Sequence, residues 1–236
     1  MFVCCQILVF FLVSSWASFL TVVAERTLDG EAFWRSRSHC PHCQQVIPLH
    51  QLLPIVGYWK AQGRCHFCQA AIPWYYPLFE FLFPLIVALL AAQGKLSWWV
   101  FLLISVLFTM AMADCYQQWV PDRFQVILLL LCLYKLSRLP LGGTQIQQLL
   151  FAAVVFLGLN FLSLQTGQGL GGADIKILTS LALCWPLLPF LWLILLACLS
   201  AFPAFLFLSF RKTAKKHALP FVPFLWLAAA GLLLYF

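Results

Sequence analysis

Trp98-Trp99-Val100-Phe101-Leu102-Leu103-Ile104-Ser105-Val106-Leu107-Phe108-Thr109-Met110-Ala111-Met112-Ala113-Asp114 decides how this chain folds. The run carries no charge until its last residue, and its length approaches the roughly 17–25 residues that cross a bilayer as a helix. A carboxylate at the end of such a run is expensive to hold at a membrane margin, which points to function before structure. Only seven acidic residues occur in the 236, and two more stand in comparable places: Asp122 just after Pro121, and Asp174 in Gly169-Leu170-Gly171-Gly172-Ala173-Asp174-Ile175-Lys176 between two apolar runs.

The rest of the chain agrees with the run. Hydrophobic residues make up 64%, charged residues 9%, and the mean hydropathy is +0.94, far outside the range of soluble domains. The pattern predicts an all-α polytopic membrane protein of about eight crossings. These are Phe2 to Ala24, Pro77 to Gln93, Ser97 to Ala113, Phe124 to about Leu141, Ile146 to Leu164, two from the stretch Ile175 to Phe210, and Leu219 to Phe236. The long stretch divides at Trp185-Pro186-Leu187-Leu188-Pro189, because prolines oppose helix continuation. The first run lacks the basic amino end of a secretory signal and reads as a retained helix. Lys135 and Arg138 near the end of the fourth run are expected to snorkel.

Basic residues set the orientation. With the amino terminus outside, eleven of the fourteen fall in cytoplasmic loops: Arg26, Arg35, Arg37, Lys60, Arg64, Arg123, Lys176, Arg211, Lys212, Lys215 and Lys216. The same arrangement puts all three aspartates on the cytoplasmic side. The net charge of +7 therefore reads as topology and lipid contact rather than nucleic-acid binding.

One extended polar segment, residues 25–76, carries Cys40-Pro41-His42-Cys43 and Cys65-His66-Phe67-Cys68. Two CxxC knuckles at this spacing complete a Cys4 zinc site, and an ion would supply the folding energy that so small a segment lacks. Paired disulfides are the competing reading, disfavoured on the cytoplasmic side. His39, His42 and His66 read as polar neighbours. Cys4, Cys5, Cys115, Cys132, Cys184 and Cys198 read as small buried hydrophobes. The domain plan is a first transmembrane helix (1–24), a cytoplasmic CxxC segment (25–76) and a transmembrane peptidase domain (77–236).

Two carboxylates at the membrane edge, without a Ser-His or metalloprotease motif, suggest an acid–base pair sharing one proton. Solvated helix ends compete with that reading: Asp174 as the N-cap of a helix starting at Ile175, Asp122 as a helix start. Gly171 and Gly172 would let a substrate strand approach the backbone. Lys176 is expected at the headgroups, and Glu80 at the interface near a helix start.

The colinear set Arg35-Ser36-Arg37-Ser38-His39-Cys40, Gly63-Arg64-Cys65, Tyr76-Pro77-Leu78-Phe79-Glu80, Val120-Pro121-Asp122 and Gly171-Gly172-Ala173-Asp174-Ile175-Lys176 resembles the type IV prepilin leader peptidases. That family of membrane aspartic peptidases also processes the pseudopilins of secretion and DNA-uptake machines. The resemblance spans nearly the whole chain. It implies that Asp114 and Asp174 are catalytic; Asp122, Gly171, Gly172, Lys176 and Glu80 read from their own positions as substrate or structural support, with a contact of Glu80 to the mature pilin amino terminus as its functional alternative. It implies prepilin or pseudopilin substrates, a bacterial inner-membrane location, and in the longer members methylation of the new amino terminus from S-adenosylmethionine. The chain departs from the family's GxGD motif, with Ala173 where a second glycine is expected. A non-enzymatic zinc-ribbon membrane subunit and a proton-coupled transporter are the alternatives; the second usually has mid-membrane charges.

Overall fold

A computed structural model describes residues 2–32, 34, 37–140, 142–165, 171–210 and 219–235. All regular structure in these residues is helical, and the chain forms two compact units, Met1–Leu96 and Ser97–Phe236.

The first unit contains α1 (Phe2–Leu28), a short 3-10 turn (Leu49–Gln51), α2 (Val56–Lys60) and α3 (Tyr75–Ala92). α1 packs on α3 through a stripe in which Ser14, Ala17, Thr21 and Ala24 are buried. Small residues at this spacing let two helix backbones approach closely, the usual way of packing helices in lipid. Pro84 lies inside α3 and has no N–H to give the carbonyl of Glu80, four residues earlier. The buried Ser14 hydroxyl donates to that carbonyl instead, at 2.9 Å, so a kink-prone position keeps its backbone satisfied.

The second unit contains α4 (Trp98–Gln117), α5 (Asp122–Ser137), α6 (Gly143–Gln165), α7 (Gly172–Ala182), α8 (Leu187–Phe210) and α9 (Val222–Tyr235). α4 is its central helix, packed against α5 and α9. Ser97 caps it, its Oγ accepting from the Val100 N–H. α4 and α9 pack on each other, and both carry buried small residues, Ala111, Ala113, Ala228, Ala229 and Ala230. Trp226 fills the space left between them: fully buried, it packs edge-on to Phe108 and donates its indole N–H to the Ile104 carbonyl. By contrast α6 presents mostly exposed apolar side chains, as a lipid-facing helix should.

Five helices, α1, α3, α4, α6 and α8, are long and apolar enough to span a bilayer, while α9 is a shorter apolar helix. α5 and α7 are also short, at 16 and 11 residues. The expected division at Trp185-Pro186 is present, between α7 and α8. It is pinned by the buried Gln148 of α6, whose amide donates to the carbonyls of Ala182 and Trp185 at 2.6 Å each. Lys135 does not snorkel freely. Its ammonium sits over the Trp99 and Trp185 rings, and Arg138 stacks on Tyr134, attractive cation–π contacts. Of the cysteines expected to be buried, Cys132 and Cys184 are, Cys115 is half-buried, and Cys5 and Cys198 are exposed; the side chain of Cys4 lies outside the described residues. The reason is helix phase, since Cys5 and Cys198 fall on outward faces where an apolar thiol suits lipid as well as a core. Arg35, Gly169, Arg211, Lys212, Lys215 and Lys216 also lie outside the described residues.

Candidate active site

The three aspartates and Lys176 all belong to the second unit. Asp114 is in the last turn of α4, slightly inside the helix rather than beyond it, and only 8% exposed. Its backbone carbonyl accepts from Gln118, which ends the helix in a left-handed conformation (φ 54°). Its carboxylate Oδ2 accepts the backbone N–H of Val222, at 2.9 Å, from the start of α9. Asp174 lies close enough for its charge to act on Asp114. α5 makes this meeting possible by packing on both α4 and α7.

Asp174 is not the N-cap of its helix. Gly171 is, with no side-chain capping bond, and Asp174 lies in the first turn of α7. The misplacement arises because the helix starts at Gly172, three residues before Ile175. The first turn still suits a carboxylate, since it faces the positive end of the helix dipole. Ala173 is an ordinary helical position here, and neither Gly171 nor Gly172 has a positive φ, so the alanine in place of the family's glycine requires no unusual backbone. Gly171 has a different reason to be glycine: a Cβ there would come within 3.1 Å of Asp174 Oδ2, whereas one on Gly172 would meet nothing within 4 Å.

That contrast predicts opposite outcomes for two neighbouring substitutions. Gly172→Ala should leave peptide cleavage unchanged and add about 0.5–1 kcal/mol of helix stability. Gly171→Ala should displace the Asp174 carboxyl by a few tenths of an ångström and slow cleavage about tenfold. Initial rates in membranes containing equal amounts of each variant check both.

Asp122 is the first residue of α5 but makes no capping bond. It pairs with Lys176 of α7, Nζ to Oδ1 2.7 Å, so Lys176 is bonded to protein rather than standing alone at headgroups. Both side chains are well exposed, and such a pair is worth about 0.2–1 kcal/mol. It registers the start of α5 against the start of α7. Asp122→Ala or Lys176→Ala should lower cleavage no more than about fivefold, consistent with that energy. The reversed pair, Asp122→Lys with Lys176→Asp, should recover most of the loss.

Glu80 lies in the first unit, where its carboxylate accepts the N–H of Ile55 at 2.8 Å. Ile55 has φ 62° and ψ −57°, and the Val56 N–H closes back on the Pro54 carbonyl at 2.6 Å. This is a left-handed γ-turn, a strained geometry for a β-branched residue. Glu80 thus anchors a tight turn, while in the same unit the Tyr76 hydroxyl donates to the Glu25 carboxylate and ties the start of α3 to the end of α1.

The cysteines meet as their spacing suggests. All four Sγ atoms of Cys40, Cys43, Cys65 and Cys68 lie within 4.8 Å of one another. Cys40 to Cys68 is 3.8 Å and Cys43 to Cys65 is 3.9 Å, too long for disulfides and close to the edge of a sulfur tetrahedron built with bonds of about 2.3 Å. The two knuckles repeat each other. Cys40 N bonds Gln45 O and Gln44 N bonds Cys40 O; Cys65 N bonds Ala70 O and Gln69 N bonds Cys65 O. Gln44 and Gln69 share φ 59°. The N–H groups of Cys68 and Phe67 aim at the Cys65 thiol and lower it to about 7. The Ala70 N–H draws Cys68 down, but desolvation and the neighbouring thiols push it further up, to about 11. Such thiols titrate as one cluster. The donor set and geometry fit zinc. The histidines stand aside, with His39 Nδ1 against the Arg37 carbonyl and His66 against the Phe67 ring.

Sequence reasoning missed Val222, Gln148 and Ile55. Backbone donors carry no side-chain signal, although the prolines flanking Phe221-Val222 mark a turn where N–H groups are scarce. Gln148 was visible as an amide in an apolar helix.

Comparison with known proteins covers both units. Residues 11–94 match the bacterial peptidase A24 N-terminal domain, and residues 101–208 match the type IV leader peptidase family. The prepilin leader peptidase/N-methyltransferase of Pectobacterium carotovorum subsp. carotovorum is 32% identical over 215 residues, which cover 84% of this chain and 73% of that protein. A type 4 prepilin-like proteins leader peptide-processing enzyme of Escherichia coli O78:H11 (strain H10407 / ETEC) is 33% identical over 91 residues, 37% of this chain and 34% of that protein. No solved structure matches. With both family models matched in order along the chain, and a relative aligned over most of its length, the chain belongs to the type IV leader peptidase family.

Proposed function

We propose that the chain is an aspartic endopeptidase that removes the leader of type IV prepilins or pseudopilins at the cytoplasmic face of the inner membrane. The observation that carries this reading is the buried Asp114, held by a backbone donor and close to Asp174. A carboxyl that only decorated an interface would be solvated, so this burial favours the enzyme over a non-enzymatic subunit.

In the proposed reaction the two carboxyls share one proton. The ionised member takes a proton from water as the water oxygen bonds to the scissile carbonyl carbon. The protonated member gives its proton to the carbonyl oxygen. Collapse of the tetrahedral species breaks the C–N bond, and the proton taken from water passes to the leaving amine. No covalent enzyme intermediate forms. A leader followed by an apolar helix would bring its junction to the depth of the aspartates, and the excess of basic residues in the loops on that side supports a cytoplasmic face.

The four cysteines would hold a structural zinc ion, which supplies folding energy and no chemistry to cleavage. The family resemblance and the name of the Pectobacterium relative extend the proposal to methylation with S-adenosylmethionine. A cleft in the first unit is lined by Ser15, Ser18, Arg26 and Ser38, but no unpartnered buried polar atom there marks a bound nucleoside among the described residues. No donor site is assigned.

The test is cleavage of a leader-bearing pilin precursor by membranes containing the wild-type chain. A product shortened at the leader junction supports the reading. An uncut precursor, with the chain present and a known leader peptidase cutting the same material, would overturn it in favour of the subunit.

A further inference from the structure

We infer that the first turn of α9 holds Asp114 as the ionised, water-activating member of the pair, which leaves Asp174 as the proton donor to the carbonyl. The inference rests on the paired-aspartate reading above and assigns each member its role.

The argument starts from the sequence Pro220-Phe221-Val222-Pro223-Phe224. A helix start exposes several N–H groups that have no partner within the helix. Here Pro220 and Pro223 have no N–H, and the Phe224 N–H is used on the Phe221 carbonyl at 3.1 Å. Phe221 and Val222 remain, and the Val222 N–H donates to the Asp114 carboxylate at 2.9 Å. Val222 is 1% exposed, so water cannot take the place of its bond. Hydrogen bonds from backbone N–H groups at a helix amino terminus favour the charged carboxylate. Among the described residues, no donor reaches the Asp174 carboxyl. Among the described residues the pair is therefore asymmetric: the member with the backbone donor keeps the negative charge, and the other keeps the proton.

Among the described residues few other charges compete. Of the helices packed on α4, α5 begins with Asp122 and Arg123 and carries Lys135 near its far end, and Asp122 is already paired with Lys176. The described part of α9 contributes only Tyr235, at its far end. Cys115 is the titratable neighbour in sequence, and Asp174 is the facing carboxyl. α9 lies beyond residues 101–208, the segment matched by the peptidase family model, so Val222 is a positioning residue contributed from outside it.

The experiment is a pH profile of kcat/KM for precursor cleavage by purified enzyme in nanodiscs. Val222→Pro deletes the N–H at a helix position that tolerates proline; Val222→Ala keeps it. A donor to the charged form makes protonation harder, so its loss means that the base ionises only at higher pH. Val222→Pro should move the acid limb up by about one pH unit. Cleavage on that limb should fall about tenfold and recover as pH rises. Val222→Ala should keep the wild-type profile. An unchanged acid limb, or movement of the alkaline limb instead, overturns the inference. If Val222→Pro is not recovered in membranes, replacing the Val222 amide with an ester, by cell-free synthesis into nanodiscs, removes the same hydrogen and gives the same decision. Failure here is distinct from failure of the pair. If Asp114→Asn or Asp174→Asn still cleaves, the pair itself falls; if both are inactive and the Val222→Pro profile is unmoved, only the assignment of roles falls.

Discussion

Asp114→Asn and Asp174→Asn should each slow precursor cleavage by at least about a hundredfold, the lower end of what a positioned acid or base contributes. Their combination should be little worse than either alone. A proton-sharing pair acts as a unit, so removing one member already disables it, and the losses do not add. Asparagine is nearly the size of aspartate, so the space at Asp114, only 8% exposed, should stay filled. The amide keeps an oxygen that can accept from Val222, and folding should survive. Asp122→Asn is the contrast, because its carboxylate is exposed and paired with Lys176. It should retain cleavage within about fivefold of wild type, as expected for an exposed ion pair. Protein levels in the membranes must match for the comparison to hold. Wild-type rates from either Asp114→Asn or Asp174→Asn would remove that residue from the pair.

The second large effect concerns the cysteine cluster. Purified wild-type chain should carry about one zinc per molecule, and Cys65→Ser should lose at least about tenfold of that content, because structural zinc in small knuckles is worth about 10–16 kcal/mol and depends on the complete donor set. Among its described residues, the segment between Leu28 and Tyr75 contains only a 3-10 turn and the five-residue α2 as regular structure. Without the ion it has little to resist unfolding, so limited proteolysis should cut it rapidly in Cys65→Ser or after chelation. Cys132→Ser, a buried thiol outside the cluster, should keep both zinc and protease resistance. Elemental analysis with gel mapping of the fragments reads the result. A metal-free wild type, or zinc retained by Cys65→Ser, would end the zinc assignment.

What could be read from the sequence was local. Apolar run length revealed the helices around Trp98–Gln117 and Gly143–Gln165, and the two prolines near Trp185 revealed the division between α7 and α8. The four cysteines announced their cluster because metal ligands need particular residue types at short spacing. Boundaries were less legible. Asp174 looked like a cap because aspartate often is one, but glycine also caps, and the helix began earlier than the apolar residues did. The partners that define the site were hidden because they are distant and generic. The N–H of Val222 is chemically the same as any other amide, and only the packing of α9 on α4 brings it to Asp114. Lys176 found Asp122 across 54 residues, while its charge alone suggested lipid. Glu80 read as an interfacial acid because a strained turn at Ile55 leaves no pattern in composition.

The bond between Asp114 and Val222 joins residues 108 positions apart. At about 5–20 residues per second, a ribosome needs roughly 5–20 s after making the first to deliver the second. From Asp174 onward the nascent chain contains both aspartates, but until Val222 is made the carboxylate on α4 lacks its anchor. On the proposed mechanism the newborn chain should hydrolyse poorly until α9 has inserted, and a product stalled before Val222 should be inert. Synthesis through the start of α9 then becomes the event that assembles the site.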